Sequence, residues 1–305
     1  MISVKSPLVS ILVITYNQKD YIKKCLDSIL MQKTNFPFEC IIGDDCSTDG
    51  TKEIVLNYKK KYPDIIHVLT SEKNYGPVLN GLKGIRACNG KYMSVCDGDD
   101  YWNQINKLQK QVDFLEKHSD YGMVYSDIFI INEKEEKIQN RPSKTIGYYK
   151  SGYIFWDLMK NCFINTNTVL IRKKILDELV NSEYFDLKSK WFIYDYWFWL
   201  NASINYQVQF INEKMATYRI HNSNISNDKR FFSQRAHYVK LDVIKNFDKN
   251  FIHTEKDRNK IGGTLISMLF RKEINFTTKL TIIKLIIKYF PSIKYIYSKS
   301  RSKLF

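Results

Sequence analysis

Short apolar runs alternate with stretches of helical spacing along this chain, most regularly over its first hundred residues. Val9-Ser-Ile-Leu-Val-Ile-Thr15 is a continuous β-rich run, which predicts a central strand buried on both faces. Between residues 20 and 31, Ile22, Leu26, Ile29 and Leu30 recur at helical intervals. Residues 38–43 predict a second strand, closed by Asp44-Asp45-Cys46-Ser47-Thr48-Asp49-Gly50-Thr51, where Ser47, Thr48 and Asp49 suit the N-cap of a helix over 51–61. Residues 65–69 predict a third strand, Asn74-Tyr75-Gly76-Pro77 a turn, 77–88 a helix and 92–96 a fourth strand. Strand and helix in this rhythm predict a parallel, doubly wound α/β sheet. In such sheets a ligand sits outside the carboxyl ends of the strands.

The pattern is less regular beyond residue 100. Residues 104–118 carry Ile105, Leu108, Val112 and Leu115 at helical spacing, and 123–131 read as one or two strands. The charged stretch 133–144 reads as a loop without chemistry. A short aromatic helix is expected over 153–162, a strand over 165–172 and a helix over 173–180. Residues 231–251, 261–270 and 280–290 predict three further helices, the last apolar with Lys284 and Lys288 on one side and ended by Pro291. Lys294-Tyr-Ile-Tyr-Ser-Lys-Ser-Arg-Ser-Lys303 follows, with aromatics between cations.

Polar residues cluster where the strands end. Thr15-Tyr16-Asn17, Asp44-Asp45 and Asp97-Gly98-Asp99-Asp100 each follow a strand directly, so the fold brings them to one sheet edge. Crowded carboxylates repel, and a hard divalent cation with oxygen ligands relieves that repulsion. The alternatives are a solvated acidic turn at Asp97–Asp100, with Asp100 capping the next helix, and a turn or helix cap at Asp44-Asp45. Trp191-Phe-Ile-Tyr-Asp-Tyr-Trp-Phe-Trp-Leu200 sets Asp195 as the one charge among aromatics, where burial would raise its pKa toward that of a usable base. Its alternative is a helix N-cap. No GxGxxG or GxxxxGK[ST] occurs, so neither a dinucleotide fingerprint nor a P-loop is present.

These motifs resemble a family 2 glycosyltransferase with the GT-A fold: a Rossmann-like, mostly parallel central sheet flanked by helices. The resemblance rests on residues 9–17, on Glu39-Cys-Ile-Ile-Gly-Asp-Asp-Cys-Ser-Thr-Asp-Gly-Thr51, and on Asn74-x-Gly76, Gly90-Lys-Tyr92 and Asp97-Gly-Asp-Asp100, in the family's order. Cys46 departs from it, standing where the family often has Gly. The resemblance implies a nucleobase pocket of Thr15, Tyr16 and Asp45, the last accepting a hydrogen bond from a uracil ring nitrogen. Asn17, Asp44 and Asn74 belong to the same donor-binding group. Asp97 would face the ribose or sugar, and Asp99 would bind the metal, Mn²⁺ or Mg²⁺. Asp195 matches the position of the general base of inverting members, although the family usually has an acidic pair where this chain has Tyr194-Asp195. Met215-Ala-Thr-Tyr-Arg-Ile-His221 resembles the closing Arg-x-His element, so Arg219 would neutralise a phosphate and His221 would complete the metal site.

Charge divides the chain. Residues 1–212 hold 27 Lys and Arg against 25 Asp and Glu, whereas residues 213–305 hold 20 against 7. We therefore expect a catalytic domain over 1–222 and a helical, basic C-terminal extension over 223–305, able to meet an anionic membrane surface. The six cysteines form no CxxC pair and read as buried thiols of a reducing compartment, and residues 1–7 lack a signal-peptide pattern. The expectation is a cytoplasmic protein, peripheral on the inner face of the membrane. Its substrates would be a nucleotide-diphosphate sugar, a UDP-sugar foremost, and a glycan or polyprenyl-linked glycan, in surface polysaccharide synthesis. A metal-dependent nucleotidyltransferase would need a Gly/Arg/Lys-rich phosphate loop near the first strand, which Thr15-Tyr16-Asn17-Gln18 does not supply. A nucleic-acid-binding protein would explain the basic tail, but three acidic strand ends repel a phosphate backbone.

Overall fold

The computed structural model describes residues 6–138, 149–183, 185, 194–224, 227, 229–246, 255–272 and 274–289. The expectations for residues 191–193, 294–303 and Pro291, and part of those for 133–144 and 231–251, lie outside the described residues.

Two compact units emerge. The first comprises Met1–Ile154, Phe163–Phe185 and Asn201–Asn224, and the second Phe155–Cys162, Asp186–Leu200 and Ile225–Phe305. The first unit holds the sheet: β1 (Val9–Thr15), β2 (Phe38–Asp44), β3 (Ile66–Thr70), β4 (Tyr92–Val95), β5 (Tyr101–Trp102), β6 (Tyr121–Ile131), β7 (Leu170–Arg172) and β8 (Gln207–Arg219). Their order is β3-β2-β1-β4-β7-β6-β8-β5. The β3-β2-β1-β4 half is parallel, and its crossovers are α1 (Lys19–Leu30), α2 (Thr51–Lys61) and α3 (Pro77–Ala87). β7 runs antiparallel to both β4 and β6, β8 parallel to β6, and β5 antiparallel to β8, so the second half is mixed. The reversal of order lies beside β1, with β2 on one flank and β4 on the other. The crevice outside the carboxyl ends is therefore at the ends of β1, β2 and β4.

The apolar runs explain the core. Val9, Ile11, Val13, Cys40, Ile42 and Ile66 are buried from the sheet, and α1 contributes Ile22, Cys25, Leu26 and Ile29 at its helical period. Burying each such aliphatic side chain contributes roughly 1.5–3 kcal/mol. α4 (Lys107–Lys117) adds Leu108, Val112 and Leu115, and α6 (Lys173–Val180) follows β7. The six cysteines, all among the described residues, are free thiols, and four of them are buried.

Two local expectations change, and a third, one or two strands over 123–131, resolves to the first alternative. Of residues 165–172 only Leu170–Arg172 is strand, because Thr166–Thr168 forms a 3-10 turn: the Thr168 amide and hydroxyl both donate to the Asn165 carbonyl. α2 begins after Gly50, whose φ is 106°, and Asp49 Oδ1 accepts from both the amide and the hydroxyl of Thr51. Residues 123–131 belong to one long strand.

The second unit is helical: α5 (Phe155–Lys160), the start of α7 (Tyr194–Asn205), α8 (Lys229–Asn246), α9 (Glu255–Leu269) and α10 (Phe276–Tyr289). Within it Tyr196 donates its hydroxyl to the Leu158 carbonyl and Trp197 Nε1 donates to Asp242 Oδ2.

Candidate functional site

The loops after β1 and β2 interlock. The Asp45 amide donates to the Thr15 carbonyl at 3.0 Å, which continues the strand pairing past Asp44. The Asn17 amide donates to Ser47 Oγ, the Thr48 amide to Asn17 Oδ1, the Gln18 amide to Thr51 Oγ1 and the Lys19 amide to Asp49 Oδ2. Asn17 itself is left-handed, with φ 51°. Asp44 is fully buried and its Oδ2 accepts the Ser47 amide, while its buried Oδ1 has no hydrogen-bond partner among the described residues. Asp45 is also buried, and its two oxygens accept the amides of Tyr75 and Gly76 at 2.9 and 2.7 Å. Asn74 Oδ1 accepts the same Gly76 amide. Thr15, Asn17, Asp44, Asp45 and Asn74 are thus brought into one loop cluster, with the Tyr16 ring exposed at its rim.

The turn after β4 closes onto this cluster. The Gly98 amide donates to the Ile14 carbonyl, and a Cβ at Gly98 would stand 2.5 Å from Gln18 Oε1 and 2.9 Å from Thr15 Oγ1. Glycine here lets the acidic turn approach the β1 loop. Asp97 and Asp99 stay partly exposed, whereas Asp100 is buried. Asp100 does not cap a helix: its Oδ1 accepts the Arg219 amide at 2.9 Å and its Oδ2 accepts Asn167 Nδ2 at 2.8 Å. Burial, and then the Asp99 and Asp97 carboxylates, push its carboxyl well above the usual range.

β8 delivers the other half. His221 Nε2 lies 2.9 Å from Asp99 Oδ2, and Asn224 Nδ2 lies 3.4 Å from the same oxygen. Arg219 donates from Nε to the Asp99 carbonyl and from Nη2 to Glu135 Oε1, with its guanidinium 4.8 Å from the Tyr21 ring centroid. The loop at 133–144, expected to carry no chemistry, supplies that Glu135, which also pairs with Lys24. Lys24 first, and Arg219 after it, hold the Glu135 carboxyl below the ordinary value.

Among the described residues no third His, Cys, Asp or Glu joins Asp99 and His221 to make a metal cage. One carboxylate and one imidazole facing each other nevertheless offer donors that suit a divalent cation, for which substrate oxygens and water would have to supply the remaining ligands. Asp195 belongs to the second unit, at the start of α7, where it is partly exposed and its Oδ1 accepts the Tyr196 amide at 2.8 Å. Sequence reasoning missed Gln18, Tyr21, Glu135, Asn167 and Asn224, which are polar or aromatic residues without a distinctive local pattern.

Comparisons with known proteins agree with this geometry. The family model for glycosyl transferase family 2 matches residues 10–180. The putative teichuronic acid biosynthesis glycosyltransferase TuaG of Bacillus subtilis is 28% identical over 244 residues, covering 78% of this chain and 88% of its own. Among solved structures, S. aureus TarS in complex with UDP-GlcNAc superposes with a TM-score of 0.63 at 21% identity, covering 92% of this chain and 79% of that one. The mannosyltransferase PcManGT from Pyrobaculum calidifontis, in complex with GDP-Man and Mn²⁺, gives 0.62 at 14% identity, covering 98% and 81%. At those identities the two structures establish the shared GT-A architecture. With the strand-end acids, the Asp99–His221 pair and the family match over more than half its length, the chain belongs to glycosyltransferase family 2.

Proposed function

We propose that this glycosyltransferase moves a sugar from a UDP-sugar to a hydroxyl of a glycan or lipid-linked glycan, with metal dependence and inversion at the anomeric carbon. The observation that carries the proposal is the convergence of Thr15, Asp45, the Asp97–Asp99 turn and His221 at the carboxyl ends of β1, β2 and β4. Thr15 and Tyr16 line the nucleobase pocket, and Asp45 accepts the uracil N–H with a lone pair that its two amide donors leave available. Asn17, Asp44 and Asn74 hold the loops of that pocket in place. Asp97 contacts the ribose or sugar, and Arg219 neutralises phosphate charge. Asp99 and His221 would hold Mn²⁺ or Mg²⁺, which when bound supplies Lewis-acid stabilisation of the departing diphosphate. Asp195 accepts the proton of the attacking hydroxyl, so that a single displacement inverts the linkage. The teichuronic acid biosynthesis for which TuaG is named and the UDP-GlcNAc held by TarS support a UDP-sugar donor and work in polysaccharide synthesis.

Thermal unfolding with UDP, CDP, GDP and ADP, each with and without Mn²⁺, tests the donor. UDP is expected to raise the midpoint most and only with metal, because cytosine offers no ring N–H to Asp45. Sugar release from a nucleotide-sugar panel then names the donor. Asp195→Asn is expected to lower transfer at least a hundredfold with UDP binding intact. Near-normal transfer by that variant, or full activity in excess chelator, overturns the corresponding part.

A further inference from the structure

The second unit carries a surface that the transferase chemistry does not use. α10 contains Lys279, Lys284 and Lys288 and neither Asp nor Glu. Its buried residues include Ile282 and Ile286, one turn apart. Four other apolar residues remain open to solvent: Phe276 at 76% exposure, Leu280 at 44%, Ile283 at 41% and Ile287 at 39%. At about 100° per residue these four fall within about 60° of arc. Lys284 and Lys288 border that stripe on one side and Lys279 on the other. α9, which packs against α10, adds the exposed Ile266 and Phe270, and exposed Arg271 and Lys272 follow it. The helix start is capped from within the chain, Asn275 Oδ1 accepting the Thr278 amide.

We infer that this α9–α10 face is a docking surface for an anionic lipid bilayer, with α10 lying in the headgroup plane. Fourteen residues span about 21 Å of helix, short of a roughly 30 Å hydrocarbon core. Among the described residues no helix is long and apolar enough to cross a membrane. An apolar stripe bordered by lysines on both sides matches the interface instead: the stripe enters the acyl boundary while the ammonium groups reach the phosphates. The same borders disfavour a second copy of this chain, since pairing two such faces sets lysine against lysine. The inference stands whether or not the chain transfers sugar.

Co-sedimentation of the full chain with phosphatidylcholine vesicles, with and without 30% phosphatidylglycerol, provides the test. Binding is expected to be at least tenfold tighter to the anionic vesicles and to fall steeply in 1 M NaCl. Ile283→Ser with Ile287→Ser, which leaves the charge unchanged, should weaken it at least tenfold, and Lys284→Glu with Lys288→Glu similarly. Lys59→Glu with Lys60→Glu, on exposed positions of α2, should change it less than twofold. Unaltered UDP protection in every variant shows that the donor reading is unaffected. Equal weakening by the α2 pair, or no weakening by the two serines, overturns the inference. So does light scattering in which the two serines dissociate an oligomer of the free protein.

Discussion

Desolvation governs Lys107. The side chain is fully buried, and its Nζ donates to the uncharged Ser94 hydroxyl and Gln111 amide oxygen, 4.1 Å from the Trp102 ring centroid. Burial lowers its pKa to about 7. Between that value and the ordinary lysine range the unfolded chain binds a proton that the folded chain does not, so this group makes stability rise with pH, by at most ~1.4 kcal/mol per unit. Lys107→Met is therefore expected to remove that slope between pH 7 and 10, measured as the difference from wild type in urea unfolding. An identical slope in both proteins refutes the assignment. Gly98 makes a second prediction, because its missing Cβ leaves room for Thr15 and Gln18. Gly98→Ala should weaken UDP binding tenfold or more, measured by calorimetry, with a smaller effect on folding. Single residues were legible where geometry restricts the choice of side chain. Cys46, flagged where the family often has glycine, sits at φ 65°, a left-handed conformation that glycine adopts without strain. The role of Asp100, for which a cap was one alternative, is not legible locally because the partners that bury it, Asn167 and Arg219, lie 67 and 119 positions away.

Elements built on backbone hydrogen bonds and apolar faces were legible, and those built on polar side chains were not. β1, β2 and β4 are mostly apolar runs, buried from both sides, and their boundaries fall within about a residue of the pattern. Residues 165–172 carry β-prone threonines, yet the Thr168 hydroxyl joins its backbone amide on the Asn165 carbonyl and holds Thr166–Thr168 as a turn. That turn is a clamp. The Asn167 carbonyl accepts Trp102 Nε1, the Thr168 carbonyl accepts Gln111 Nε2, and Asn167 Nδ2 reaches Asp100, whose other oxygen holds the end of β8. Asn167→Ala leaves a buried carboxyl oxygen without its donor, which costs about 1–3 kcal/mol. The same change should loosen the acidic turn that carries Asp99. Chemical denaturation is expected to show that loss, and Mn²⁺-dependent UDP binding should weaken several-fold. Asn167→Asp should not restore it, because a second acid there adds charge to a buried carboxyl.

Over the whole chain, charge distribution was readable by counting, whereas charge pairing was not. Glu135 illustrates the difference, since it meets Lys24 and Arg219 from sequence separations of 111 and 84. In the sequence it belonged to a solvated charged loop. In the fold, a tight turn sets Glu135 at φ 64°, with Asn132 Oδ1 accepting the Lys134 and Glu136 amides, and so aims it at the Arg219 guanidinium. The pair is unequal, because the Arg219 side chain is 3% exposed and that of Glu135 is 49% exposed. Solvent screens the carboxylate, so Glu135→Gln should cost at most ~1 kcal/mol at neutral pH, well below the loss for a fully buried pair. The sign with pH follows from the direction of the shift. A carboxyl held below its ordinary value stabilises the fold above its unfolded pKa, and that stabilisation is lost as pH falls through the lower, folded value. Wild type and Glu135→Gln should therefore differ in thermal midpoint at pH 7 and converge at pH values below the ordinary glutamate range. High salt should narrow the neutral-pH gap as well, since the exposed half of the pair is open to counterions. A gap that persists in acid would mean that Glu135 acts through packing of the turn, and Arg219 would then owe its position to the Asp99 carbonyl and the Tyr21 and Tyr101 rings.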